Sequence, residues 1–270
     1  MIARLLGDRT EYKTRTAIAQ IEDLLVGYDD TIRLFHLTIG EFLLQKNTPF
    51  FVSSVEGAIR LADLTLDADQ RRTFGPTLLA FCTRHLISWL LQCSDMRAFA
   101  TRLVSFYDES LSQREGPAAY SLSMVKIGPL EEKLVAHLAA VGQAQTVLDI
   151  IALAFAHAER RFNESGAEKW VHEGYLPPPK NAEKRAVTYE INWCFGAIDL
   201  ALGWVRALAK ADASYKLALQ KTLSEQQRLL WLLGWLDWGC GARTLQISGY
   251  FEDQAWSLRS DWDEIAKTLS

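Results

Sequence analysis

The sequence predicts an all-α protein, built as a multi-helix bundle or an irregular helical-hairpin solenoid with no significant sheet. Three observations lead there. Apolar residues recur at helical spacing along most of the chain, and strand-like alternation is hardly found. Prolines are few, seven in 270 residues, and three of them are consecutive at 177–179. The segments between the periodic stretches are short, which makes successive helices antiparallel neighbours.

Taken in order, the spacing predicts helices over 10–27, 29–45, 50–63, 68–92, 95–112, 118–141, 143–163, 182–210, 212–221, 224–238 and 253–268. The first two rest on apolar spacing alone. Thr48-Pro49, Gly116-Pro117 and Gly128-Pro129 place proline in a first helical turn, where the missing N–H has no intrahelical partner to lose. Ser224 and Gln227 have the spacing of a capping box, each side chain serving a backbone amide of the other. The stretch 182–210 is apolar around most of its circumference from Ile191 to Leu208, with only a narrow wedge of Asn192, Asp199 and Arg206, so it is expected to be a central helix.

One segment breaks the pattern. In "NESGAEKWVHEGYLPPPKNAEK", glycines, a triple proline and charges replace the apolar periodicity, which divides the chain into an N-terminal helical region (1–163), an exposed Pro/Gly loop (164–181) and a Trp-rich C-terminal region (182–270), two regions that can still pack as one domain. The tripeptide Leu202-Gly203-Trp204 recurs as Leu233-Gly234-Trp235, a spacing near that of helical-hairpin repeats.

With 49% hydrophobic residues the chain can fill a sizeable core. A net charge of −4 disfavours a protein that coats nucleic acid or an anionic membrane, which needs clustered cations. Charges at Arg4, Asp8 and Arg9 interrupt any apolar run near the start, and no uncharged run approaches the about 20 residues of a membrane span. Cys82, Cys93, Cys194 and Cys240 include no C-x-x-C pair and are expected to be reduced thiols acting as apolar filler. These features together lead us to expect a soluble, cytoplasmic protein.

Motifs for common chemistries are missing from the sequence: it has no phosphate-binding loop, dinucleotide fingerprint, H-E-x-x-H, G-x-S-x-G or Glu-x-x-His. No catalytic residue, metal ligand or cofactor is therefore assigned. His36, His85 and His157 lie in apolar runs and are expected to be packed histidines bonded to a neighbour. The pair Glu168 and His172 would meet on one helical turn, and Asp199 with Asn192 would face an internal cavity if the wedge of the central helix were enclosed.

Two groups of residues suggest a binding surface. Arg160, Arg161, Lys180, Lys184 and Arg185 cluster around the Pro/Gly loop, interleaved with Trp170 and Tyr175, rings suited to a protein pocket or to stacking. Residues 229–256 hold four of the nine tryptophans. There Trp231, Trp235 and Trp238 form a line opposite Leu229, Leu232, Leu233 and Leu236. The leucines suffice to anchor that helix, so the tryptophans need a second cover, either the C-terminal helix through Tyr250, Phe251, Trp256 and Trp262, or another molecule. The reading that follows is a non-catalytic helical interaction module, a subunit, adaptor, inhibitor or immunity-type partner, that binds another macromolecule, a protein being the favoured partner, through an aromatic-rich surface. Nucleic acid is not favoured as the partner, a membrane is not expected, and self-association remains compatible. The alternative is a helical enzyme or small-ligand binder with its site near Asp199 or Glu168/His172.

Overall fold

The computed structural model describes residues 25–28, 31–34, 54–72, 74, 76–112, 129–165, 181–237 and 249–270. Among them the protein is all-α apart from one short hairpin. Contacts divide the chain into two compact units, Met1–Ser94 and Asp95–Ser270.

In the first unit, β1 (Leu25–Tyr28) and β2 (Thr31–Leu34) pair antiparallel with Leu25 opposite Leu34 and Tyr28 opposite Thr31. This corrects the helices expected over 10–27 and 29–45 at these residues. Val26, Thr31 and Ile32 are β-branched and favour extended backbone, and Asp29-Asp30 between the strands is a turn-forming pair that the apolar count overlooked.

The other described residues of the first unit include three helices, α1 (Ser54–Leu66), α2 (Ala68–Arg72) and α3 (Pro76–Leu90). The single helix expected over 68–92 is thus two. Gly75-Pro76 breaks it, because proline lacks the donor for a preceding turn and disfavours helical backbone in the residue before it. Asp67 caps α2, its carboxylate accepting from the amides of Asp69 at 2.9 Å and Gln70 at 3.1 Å. Arg71 is buried and donates to the Thr65 carbonyl at 2.7 Å, satisfying an acceptor in the last turn of α1. Ala58, Ala62 and Leu66 give α1 its buried stripe, and α1 packs on α3.

The second unit contains α4 (Arg97–Ser112), α5 (Pro129–Ala140), α6 (Ala144–Ser165), α7 (Asn181–Ala211), a 3-10 turn (Ala213–Tyr215), α8 (Lys216–Ser224), α9 (Gln227–Asp237) and α10 (Gly249–Leu269). Asp95 accepts from the Arg97 amide at 3.0 Å at the start of α4, and Pro129 opens α5 as its position after Gly128 predicted. The helix expected over 212–221 resolves into the 3-10 turn, capped by Asp212 accepting from Ser214 at 2.9 Å, followed by α8.

The expected capping box does not form. Ser224 is still inside the last turn of α8, so its hydroxyl turns back to the Lys221 carbonyl at 2.8 Å, and the Gln227 side chain donates to the Ser224 carbonyl at 3.2 Å. Instead the Gln226 carbonyl receives the first amides of α9, from Leu229 and Leu230.

Helix α7 is the central element of this unit. It packs most extensively on α6 and also meets α5, α8 and α10, while α6 reaches α4, α5 and α9. A solenoid would restrict contacts to neighbouring repeats, so the arrangement is a bundle. From Ile191 to Leu208 every apolar residue of α7 is buried, in agreement with a helix apolar nearly all round.

The turn from α5 to α6 depends on one glycine. Gly142 adopts φ +75° and closes a Schellman motif, its amide donating to the Ala139 carbonyl while the Gln143 amide reaches the Leu138 carbonyl. An alanine Cβ would meet open space there, so the substitution Gly142→Ala tests the backbone alone. The expected cost is about 1 kcal/mol, the penalty of left-handed backbone for a residue with a Cβ, measurable as a lower denaturation midpoint with an unchanged slope.

Candidate interaction surface

Two kinds of residue suited to function occur in the second unit: polar groups held inside it and aromatic rings that leave it. The polar groups join three helices. Arg161 on α6 is 4% exposed and occupies the buried stripe Ile150, Ala154, Ala158, Arg161, Ser165. Its guanidinium donates through Nη1 to Glu190 Oε2 at 3.1 Å and through Nη2 to the carbonyls of Ser112 at 3.2 Å and Leu111 at 3.4 Å. It also lies 5.5 Å from the centre of the Trp193 ring and 3.9 Å from Glu164 Oε2. Leu111 and Ser112 end α4, where carbonyls lack intrahelical donors and a cation is favourable. Arg161 therefore ties the end of α4 to α7 through α6. One turn earlier, buried His157 bonds through Nε2 to Asp108 Oδ1 at 2.8 Å, again joining α6 to α4.

The basic residues singled out in the sequence do not share one environment. Arg160, next to Arg161, is exposed. Lys184 and Arg185 belong to the first two turns of α7, and Trp235 to α9, with side chains outside the described residues. Trp170, Tyr175, Lys180 and Trp238, together with Glu168, His172, His36 and Cys240, also lie outside the described residues.

On the wedge of α7, Asn192 and Arg206 are exposed and Asp199 is half-buried. Arg206 pairs with Asp261 of α10 at 2.9 Å across the surface. The wedge is thus the line on which α7 reaches solvent. Among the described residues, no group of three or more His, Cys, Asp or Glu side chains is placed to hold a metal ion.

Cys82, Cys93 and Cys194 are buried and take part in no disulfide. Burial pushes the Cys194 thiol up from 9.0 to about 12, since the thiolate would lose its hydration without a compensating charge. Burial likewise raises the Tyr107 phenol, with the Glu131 carboxylate adding to the effect. Both groups ionise at lower pH when unfolded, so the unfolded state binds fewer protons above pH 9 and stability must fall as pH rises from about 9 towards 12. Denaturation midpoints measured from pH 8 to pH 11 should decrease, and Cys194 should resist a thiol reagent at pH 8 until the protein unfolds. A flat profile, or native labelling of Cys194, would contradict its environment.

The aromatic rings divide between core and surface. Leu229, Leu232 and Leu233 anchor α9, as the leucine line predicted, whereas Trp231 on the other side is 43% exposed. The expected cover from the C-terminal helix follows a different pattern. Trp262 is buried in the core, 5.5 Å from the Phe155 ring of α6, together with Ala255, Leu258, Ile265 and Leu269 on the same face of α10. Trp256 falls outside that stripe and is 62% exposed, while Tyr250 and Phe251 have side chains outside the described residues. Two tryptophans on α10 six residues apart point to different sides because 600° of helical rotation leaves them about 120° from alignment. Helices α9 and α10 pack together where Gly234 admits the Arg259 guanidinium, and a Cβ at 234 would displace that side chain.

His157 is packed and bonded to a neighbour as expected, but its partner Asp108 and the Arg161 links were not visible in the sequence, since the partners are 29 to 50 residues away. The available signal was a charged residue on a core stripe, since a buried guanidinium must be paired. In the first unit, His85 of α3 lies half-buried between Phe81 and Trp89, with ring centres 4.5 Å and 6.0 Å away.

No helix among the described residues is long and apolar enough to cross a membrane. Comparison with protein-family models, with curated proteins and with solved structures finds no match for this chain.

Proposed function

We propose that this protein is a helical interaction module that binds another protein through exposed tryptophans of its C-terminal helices. The observation that carries the reading is Trp256: a ring 62% exposed on α10, a helix whose other face is fully committed to the core. Trp231 on the adjoining helix α9 adds a second large apolar surface. Tryptophan is enriched among the residues that dominate binding energy, because it combines large apolar area with one polar N–H. Sequence motifs for catalysis being absent, the proposed activity is recognition. The cytoplasm is the proposed location, because four scattered cysteines with no C-x-x-C spacing suit a reducing compartment.

The test uses the tagged full-length chain, expressed in the cells that make it, as wild type and as Trp256→Ala. Truncating a mostly exposed ring should change stability by no more than about 0.5 kcal/mol, so the two proteins should melt together. A partner protein should co-purify with the wild type and fall roughly 10- to 100-fold with Trp256→Ala, the loss associated with an interface hot spot. Trp231→Ala should weaken recovery further. Equal recovery with wild type and both variants would overturn the reading.

A further inference from the structure

We draw no further inference here: the strongest candidate, the half-exposed stripe of Phe81, His85 and Trp89 along helix α3 of the first unit, carries nothing because nothing in the structure shows what covers it.

Discussion

Replacing Leu202 by Asp is expected to abolish cooperative folding of the second unit. Leu202 is 2% exposed on α7, and Ile198, Ala201 and Val205 around it are also buried, leaving the new carboxylate without a short route to water. Deleting a buried leucine already costs about 2–5 kcal/mol. Burying an unpaired charge, or protonating it to avoid that, adds several more. Their sum rivals the whole stability of an ordinary domain, about 5–15 kcal/mol. Leu202→Ala, which leaves a cavity but no charge, should fold with a lowered midpoint. Asn192→Asp, on the exposed wedge of the same helix, should melt within a few degrees of the wild type. A Leu202→Asp protein that is folded and melts cooperatively near the wild-type temperature would show that α7 is not the centre of the bundle.

The second large effect is expected at Arg161. Arg161→Ala should destabilise by about 3–5 kcal/mol, the range for breaking a buried ion pair on one side. Glu190, 14% exposed, would keep a charge without its partner, and the carbonyls of Leu111 and Ser112 would lose their donor. Because the guanidinium is enclosed, the loss should change little between low and high salt, in contrast to the exposed Arg206–Asp261 pair, whose removal should cost at most about 1 kcal/mol and less as salt rises. Arg161→Met keeps much of the volume without the charge. Its cost should shrink by roughly 1–3 kcal/mol in a Glu190→Gln background, since the stranded carboxylate is then gone. Strict additivity of the two substitutions would mean that the pair contributes nothing as a pair.

What could be read in the sequence follows the range of the interaction that decides each feature. Helices α4, α6 and α7 lie within a few residues of their expected bounds because each carries many apolar residues at helical spacing, and the buried surround of α7 was legible as an excess of apolar positions. Features set by one or two residues were harder to see. Gly75-Pro76 splits a stretch whose apolar spacing is otherwise continuous, and two short β-branched segments around Asp29-Asp30 pair as strands although their apolar count suits a helix. The Ser224/Gln227 motif has capping-box spacing, yet α8 runs through Ser224 and takes its hydroxyl. Of the aromatic residues expected to cover the tryptophan line, Trp256 and Trp262 do not share a side, because the phase of α10, set by its packing on α9 and α7, turns Trp262 inward and Trp256 outward. Arg161 illustrates the limit for a candidate binding residue: its cluster of basic neighbours is visible in one dimension, whereas its pairing with Glu190 and the end of α4 exists only in three.

The interaction reading depends on the face that carries Trp256, and contact at that face can be measured directly. A photoreactive amino acid placed at 256 in the full chain, and at exposed Ala136 of α5 as a control, should be irradiated in the cells that make the protein. The account expects position 256 to yield a discrete covalent adduct with another protein, well above the yield from position 136. Adduct yield at 256 no greater than at 136, from a protein shown to be folded, would contradict it.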